Sequence, residues 1–526
     1  MSIPLRIPMI GIAALTSIVI AVPAVSATTL SVVMESRLSV LDPVVSTSHQ
    51  SRNHGYMIYD TLLAIDANGT IQPQMLENWS VSDEGKTYTF KLRDGLLWHD
   101  GQPVTAEDCV ASIERWAQVD RMGRALTPMI AEITPVDEKT FSIKLNAPAD
   151  MILTAFAKPS GIPLFIMPAR VAATPAKDPI TDYTGSGPFK FIASEFEPGA
   201  KVVYEKFDGY LPRAEPASGL AGGKVVKVDR VERIEMSDQL TAVNALSGGE
   251  IDYVETIPYD LLPMVESTPG VTLATVEPFG YQVSYRFNHL HPPFDNKLVR
   301  QAAVYAIGTD DLFKAQIGNP DYYITCAAVF GCGMPLESES LADMVIPANP
   351  GKAKELLKEA GYDGSRVVIL QTTDVPTISQ MPVVMAQQLR EAGFKVDVQA
   401  MDFMTMLSRR SNQGPTSQGG WSIFVTAWHN TEISDPVRSA TVTANGKDAW
   451  AGWPDIPAVT DAIEAYAAAV DDESRTEIAE RIQVSAIDEG VIAPVGTLMK
   501  PSAFSTRLTG VLDAATPIFW NVSKEE

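Results

Sequence analysis

Residue types that build metal and nucleophile sites are scarce in this chain of 526 residues, which has three cysteines and six histidines. Zinc sites need several such residues at close spacing, and the chain has no second close cysteine pair. It also has no Gly-rich phosphate loop, no Gly-x-Ser-x-Gly elbow and no His-Glu-x-x-His motif. These absences argue against a zinc enzyme, a nucleotide enzyme and a secreted hydrolase, so we expect no catalytic residues, no metal and no cofactor.

Positive charge is also in short supply. The chain has 41 Lys and Arg against 64 Asp and Glu, which gives a formal net charge of −23. Nucleic acid and anionic membrane surfaces repel such an acidic body, which argues against both as partners. An acidic excess is common in secreted proteins, where it favours solubility, and it does not name a ligand. A chain of this length exceeds one hydrophobic core and should divide into several domains.

The chain begins with a segment typical of a secretory signal. Arg6 precedes the uncharged run Ile7–Val25, and Val25-Ser26-Ala27 has the small-residue pattern of a cleavage site. The uncharged run is long enough to compete as a membrane anchor. Two prolines within it argue against one spanning helix, and no cysteine follows it for lipid attachment. We predict that residues 1–27 are a cleaved signal peptide and that the protein is exported.

The cysteines divide into a close pair and a single residue. Cys326 and Cys332 are six positions apart. In an oxidising compartment we expect them to form a loop-closing disulfide rather than free thiols. Cys109 falls in a predicted helix, where a small buried hydrophobic residue is expected.

Strand and helix patterns recur along the chain. Alternating apolar residues predict strands within 88–92, 141–145 and 283–287. Helical spacing predicts helices over 353–360 and 381–392. Gly361 and Gly393 follow these two helices as stop residues, and a strand candidate comes after each. This region therefore alternates helix and strand, as an α/β layer does.

The segment from Trp79 to Trp116 is the most informative part of the chain. Asp-Gly pairs at 94–95 and 100–101 supply turn residues that can take positive φ. Thr105 can then cap a helix, with Asp108 reaching back from its third position. This order of elements, with its acidic turns and its Trp-His pair at 98–99, resembles the extracellular solute-binding proteins of family 5. These are the dipeptide- and oligopeptide-binding components of ABC importers.

Further motifs support this resemblance over most of the mature chain. They are Leu41–Pro43, Tyr59–Leu63, Gly185–Lys190, Ser247–Asp252, Pro292–Asp295, Val299–Ala303 and Lys352–Gly361. Each is mostly turn and core chemistry, so the order of the motifs carries the resemblance.

The resemblance implies an α/β fold of the periplasmic binding protein type, with two lobes, a hinge and a cleft between the lobes. A small domain is inserted in the first lobe. The expected first lobe comprises residues 28–72, 184–283 and 499–526, with the inserted domain at 73–183 and the second lobe at 284–498.

The implied function is that of a non-enzymatic periplasmic receptor, expected to be a monomer. It captures a short peptide or a similar small polar solute and delivers it to the permease subunits of an ABC importer, whose ATPase is a separate subunit. Alternatives are a receptor of the same fold for an opine, a sugar, haem or a metal complex, a receptor that presents its ligand to a sensor, and a secreted hydrolase. His429 keeps haem and metal-complex binding open.

The segment from Trp421 to Pro436 is expected to determine ligand specificity. In peptide-binding relatives, a Trp at the end of this strand precedes an Asp that receives the ligand's ammonium group. A charge that is buried on closure must find an opposite charge. Counting forward from Trp428 puts Thr431 at that position, whereas counting back from Pro436 puts Glu432 there. Both remain candidates for the anchor position.

Other residues are candidates for the cleft. Trp428 could stack on a ligand or pack at the strand end, and Trp450 and Trp453 could form a side-chain pocket or pack in the core. Tyr281 lies near the crossing between the lobes. Arg52 could bind a ligand carboxylate or lie exposed at the surface, and it is close to His54 in a helix start.

Overall fold

The structure, a computed structural model, describes residues 27–149, 151–469 and 471–525. Apart from Ala27, the predicted signal peptide of residues 1–27 lies outside the described residues. No helix within these ranges combines the length and the apolar character of a candidate membrane span.

A seven-stranded sheet is built from separate stretches of the chain. Its strands, in spatial order, are Val271–Ala274, Ser502–Ser505, Tyr253–Val254, Thr29–Val33, Arg230–Ile234, Lys201–Lys206 and Phe189–Phe191. The central strand Thr29–Val33 runs parallel to both of its neighbours, and the other pairs are antiparallel. We call the part of the chain that carries this sheet the first lobe.

A six-stranded sheet forms the second lobe. Its strands, in spatial order, are Tyr323–Ile324, Ala493–Leu498, Tyr281–Phe287, Ile423–His429, Arg366–Thr372 and Lys395–Met401. Arg366–Thr372 runs parallel to both neighbours, as expected where helices alternate with strands. The strand predicted within 283–287 is Tyr281–Phe287, and all seven of its residues are buried. The alternation of apolar and polar residues in this strand would suggest that one face is exposed to solvent. Both faces are buried, because Tyr281–Phe287 is an inner strand of the sheet.

A four-stranded antiparallel sheet lies within residues 73–183, the segment expected to form the inserted domain. Its strands, in spatial order, are Leu76–Ser82, Thr87–Leu92, Thr140–Leu145 and Ile130–Pro135. The apolar residues of the two central strands point to one face and join a core that is continuous with that of the first lobe. The predicted capping box is confirmed, because Thr105 and Asp108 bond reciprocally at the start of the helix Ala106–Ala117.

Sixteen α-helices connect and cover the sheets within the described residues. They are His49–Ile58, Ala106–Ala117, Arg121–Leu126, Met151–Ala157, Ala169–Ala172, Gln239–Ser247, Leu262–Glu266, Lys297–Ala306, Thr309–Gln316, Ala342–Val345, Pro350–Glu359, Met381–Glu391, Phe403–Arg410, Asn430–Ile433, Pro457–Ala468 and Asp472–Asp488. Two small antiparallel pairs are Leu63–Ile65 with Ile71–Pro73 and Leu508–Thr509 with Ser523–Lys524. Gly361 and Gly393 follow their helices with φ of 66° and 106°, as their predicted role as stop residues requires.

The chain crosses between the two large sheets at residues 275–280 and 499–501. The first crossing precedes the expected boundary at residue 283, since Tyr281–Phe287 pairs wholly within the second sheet. In the second crossing, Lys500 Nζ lies 2.8 Å from both carboxylate oxygens of Glu35 and 4.0 Å from the centroid of the Tyr281 ring. Burial would lower the pKa of Lys500, but Glu35 holds it above its usual value. The second crossing thus contains a half-buried, charged contact with the first lobe.

The cysteines are arranged as predicted. Cys326 and Cys332 form a disulfide with their Cα atoms 6.1 Å apart. Cys109 is a free thiol and is fully buried in its helix. Burial raises the pKa of the Cys109 thiol, so it stays protonated and acts as a small apolar residue.

Candidate ligand-binding site

Glu432 connects the second lobe to His49 of the first lobe and to Ser160 and Gly161 of the segment 73–183. It lies in the short helix Asn430–Ile433 and is 8% exposed. Its Oε1 accepts hydrogen bonds from the Ser160 hydroxyl and from the Gly161 N–H, the latter at 2.9 Å, and lies 3.5 Å from His49 Nε2. Among the described residues, Oε2 of the same carboxylate has no hydrogen-bond partner. We call the contact of Glu432 with Ser160, Gly161 and His49 the seam.

The electrostatics of the seam keep Glu432 ionised. Burial would raise the pKa of Glu432, but the hydrogen bond to His49, charge attraction and the Ser160 bond hold it well below its usual range. The pKa of His49 is lowered by burial and by the nearby Arg52 charge, although Glu432 opposes this. At neutral pH the seam therefore contains a carboxylate beside a neutral imidazole. A carboxylate of this kind can bind a ligand cation.

Arg52 supports the seam from behind. Its Nη1 donates to Ser160 Oγ at 2.5 Å, and the same hydroxyl donates to Glu432. Its Nε and Nη2 donate to Asn53 Oδ1 at 3.1 and 2.9 Å. The Arg52 side chain is 1% exposed, so in this arrangement it orients Ser160 and does not face the gap between the lobes.

Thr431 is turned away from the seam. Its hydroxyl lies 2.6 Å from His429 Nδ1, and the residue is 4% exposed. His429 Nε2 in turn lies 2.9 Å from Glu277 Oε1 in the first crossing. Thr431 is thus part of a buried polar chain that runs to the hinge, whereas Glu432 faces the other lobe.

The three candidate tryptophans have different surroundings. Trp428 and Trp450 are half-buried and meet edge to face, with ring centroids 5.4 Å apart. Trp453 is 6% exposed and packs against Trp421 with centroids 5.8 Å apart. Trp428 and Trp450 therefore have surface that a ligand can reach, while Trp453 lies in the aromatic core behind them.

Tyr281 and His54 are both buried, at different places. The Tyr281 ring lies 5.8 Å from His49 and 5.1 Å from His429, between the hinge and the seam. His54 lies inside the first lobe, where its Nδ1 is 2.9 Å from the Tyr204 hydroxyl. The structure thus brings Tyr281 to the seam region and leaves His54 in the core.

A cavity of about 400 Å³ lies between residues of the segment 73–183 and the second lobe, and none of the four seam residues lines it. Its wall continues from the Glu432 helix through Ser434 and Asp435. The other lining residues are Met122, Met151, Thr154, Pro335, Leu336, Val437, Tyr466, Ala467, Asp472, Arg475 and Thr476. This volume is within the range of small-ligand sites.

Sequence reasoning missed three residues of the seam. Ser160 and Gly161 follow a proline, a pattern that indicates only a turn, and Gly161 takes a φ of 72° that suits glycine. His49 is the first residue of its helix, next to the Ser48 cap. A titratable residue at the start of a helix is the one signal that could have drawn attention to it.

The histidine pair with metal-friendly spacing, His289 and His291, is bonded to the backbone. Their Nε2 atoms lie 2.8 Å from Gly490 O and 2.7 Å from Gln413 O. These contacts fit a structural loop.

His54 should make stability depend on pH. Burial, together with the Arg233 charge, lowers the pKa of His54 to about 3, against an ordinary value of 6.5. Below pH 6.5 the unfolded chain takes up a proton that folded His54 does not. The free energy of unfolding should therefore decrease as the pH is lowered below 6.5. This residue contributes at most about 1.4 kcal/mol per pH unit to that decrease. Chemical denaturation between pH 7 and 5 measures the slope.

A matched pair of variants isolates the histidine. His54→Gln should reduce the slope, whereas Tyr204→Phe removes the same hydrogen bond and should keep it. Equal slopes for wild type and His54→Gln would contradict the assignment.

Comparison with known proteins places this geometry in a family. Residues 70–449 match the family model described as bacterial extracellular solute-binding proteins, family 5 Middle. The chain is also 40% identical over 498 residues to the probable peptide ABC transporter periplasmic-binding protein y4tO of Sinorhizobium fredii, covering 93% of this chain and 92% of that protein. The chain belongs to the bacterial extracellular solute-binding protein family 5. The predicted family and the prediction of a binding protein rather than an enzyme are confirmed.

Two further relatives show the range of the family. The glutathione-binding protein GsiB of Pectobacterium atrosepticum is 28% identical over 422 residues, covering 79% of this chain and 77% of that protein. The periplasmic binding protein DppA from Helicobacter pylori, solved in complex with the peptide STSA, superposes with a TM-score of 0.76 at 20% identity and covers 95% of this chain and 99% of that one. The second likeness confirms the α/β periplasmic binding protein fold.

Proposed function

We propose that this chain is the periplasmic receptor of an ABC importer and captures short peptides with a free amino terminus between its lobes. The observation that carries the proposal is the Glu432 carboxylate, which is ionised and buried at the seam. Its Oε1 contacts the opposite side of the gap, and its Oε2 is left for a ligand ammonium. A ligand held at this point contacts both sides at once and so favours the closed arrangement.

Several features support a peptide over other solutes. The 40% identical relative is named for peptide transport, and the glutathione-binding relatives are named for a tripeptide-like solute. Half-buried Trp428 and Trp450 offer aromatic surface for side chains. In this proposal Glu432, rather than Thr431, occupies the anchor position.

The test is to identify what the protein binds. Mass spectrometry of the protein purified from its native periplasm should detect short peptides with free amino termini. Small-angle scattering should show a decrease in the radius of gyration when such a peptide is added to stripped protein. Recovery of only an opine, a sugar, haem or a metal complex would overturn the peptide proposal, as would turnover of a substrate by the purified protein.

A further inference from the structure

Two arginines of the second lobe lie against the same indole ring. The guanidinium carbons of Arg286 and Arg410 are 4.9 and 5.0 Å from the centroid of Trp450. Arg410 is also 5.2 Å from the ring centroid of Phe424. Trp450 in turn packs on Trp428. We call Arg286, Arg410, Trp428 and Trp450 the arginine–tryptophan cluster.

The two positive charges lack a negative partner in the described part of the chain. Arg286 is fully buried, and its Nη atoms donate to backbone carbonyls, including those of Thr441 and Trp450. Arg410 is half-buried, and no hydrogen bond from its guanidinium to a described residue is present. Burial and the Arg410 charge lower the pKa of Arg286 to about 9, and burial lowers that of Arg410 to about 10. Unpaired charges in a poorly hydrated site are costly, and an anion offsets that cost.

Buried donors without an acceptor lie on the same face of the sheet. Trp428 Nε1, Gln282 Nε2 and Arg286 Nε are buried and have no hydrogen-bond partner among the described residues. Gln282 lies opposite Trp428 in the antiparallel pair, and Arg286 lies opposite Phe424. Side chains two and four residues apart on a strand share a face, so these donors point the same way. These unpaired donors suit a ligand that brings acceptors, such as a carboxylate.

We propose that the arginine–tryptophan cluster is a subsite for an acidic side chain of the bound peptide. Arg410 makes the contact, because its planar guanidinium is accessible and can bind a carboxylate through two N–H groups. The Trp428 N–H, on the ring that packs against Trp450, is a further unpaired donor of the cluster. Arg286 is a positioning residue, since it holds the backbone that carries Trp450 and adds positive potential. This inference rests on the proposed function and names its substrate class: peptides that contain aspartate or glutamate.

Tripeptides with one charge difference test the subsite. Isothermal titration calorimetry compares alanine tripeptides that carry one glutamate at the first, second or third position with their glutamine counterparts. At least one glutamate peptide should bind about tenfold tighter than its counterpart, as expected for a charged hydrogen bond. Arg410→Gln should abolish that preference, so that the glutamate peptide and its glutamine counterpart bind alike.

Arg409→Gln is the matched control, because Arg409 is adjacent in the same helix and bonds to the carbonyls of Gly419 and Gly420. It should retain the preference. Equal affinities for all glutamate and glutamine pairs, or a preference that survives in Arg410→Gln, would overturn the subsite and leave the peptide receptor standing. A preference lost on amidation of the peptide C-terminus, rather than on the change to glutamine, would assign the cluster to the terminal carboxylate and also overturn it. If no peptide of the series binds, the proposed function fails together with the subsite.

Discussion

Glu432→Gln is expected to weaken binding of a short peptide with a free amino terminus by about 1.5–3 kcal/mol, the range of a hydrogen bond to a charged group. The change removes the negative charge but keeps the length and most contacts of the side chain. The seam would keep an acceptor for Ser160 and Gly161, while the ligand ammonium would lose its counter-charge in a site with little water. Isothermal titration calorimetry with one tripeptide, in its free and N-acetylated forms, measures the effect.

The N-acetylated peptide distinguishes loss of the ammonium contact from a change in the contacts that Glu432 makes within the protein. Wild type should bind it more weakly than the free peptide, and Glu432→Gln should bind both alike. Glu464→Gln, at an exposed position of the second lobe, should behave as wild type. Unchanged affinity of Glu432→Gln for the free peptide would remove Glu432 from the anchor position.

Asp42→Ala is expected to lower the free energy of unfolding by about 3–5 kcal/mol, the cost of leaving a buried charge without its partner. Asp42 lies in the motif Leu41–Pro43, and its two oxygens accept from Arg115 Nη1 and Nη2 at 3.3 and 2.8 Å. They also accept from the N–H groups of Val44 and Ile180 at 2.9 and 3.0 Å. The carboxylate therefore ties the helix Ala106–Ala117 of the inserted domain to the first lobe. Urea denaturation followed by circular dichroism measures the loss.

An exposed ion pair in the inserted domain, which also contains Arg115, provides the control. Glu77 and Lys91 are 2.7 Å apart, and both side chains are half exposed. Glu77→Ala should leave the free energy of unfolding close to that of wild type, because water screens such pairs. If Asp42→Ala lowered the free energy of unfolding no more than Glu77→Ala, the buried pair would not stabilise the contact between the inserted domain and the first lobe.

Local structure could be predicted well from the sequence. The capping box of Thr105 and Asp108, and the stop residues Gly361 and Gly393, are formed as expected. Each of these features depends on atoms only a few positions apart along the chain. The disulfide of Cys326 and Cys332 is local in the same sense, since its loop is short.

The candidate site was less accessible to prediction. The sequence pattern left both Glu432 and Thr431 as candidates, because the count from Trp428 and the count from Pro436 lead to different residues. The structure distinguishes them by partners that are remote in the chain. Gly161, which donates to Glu432, is separated from it by 271 positions. Arg410 was not noticed at all, since an arginine at the end of a helix is ordinarily a solvated residue or a favourable partner of the helix dipole.

By itself, the sequence of this protein determined its family, its succession of strands and helices and its acidic character, because these depend on residue types and on near neighbours. The tertiary structure alone decided which carboxylate meets the opposite lobe, which tryptophans keep exposed surface and which arginines gather on one ring. These contacts join residues from separate lobes and loops. They are set by how two sheets are placed relative to each other through the hinge, and no pattern of adjacent residues contains that placement.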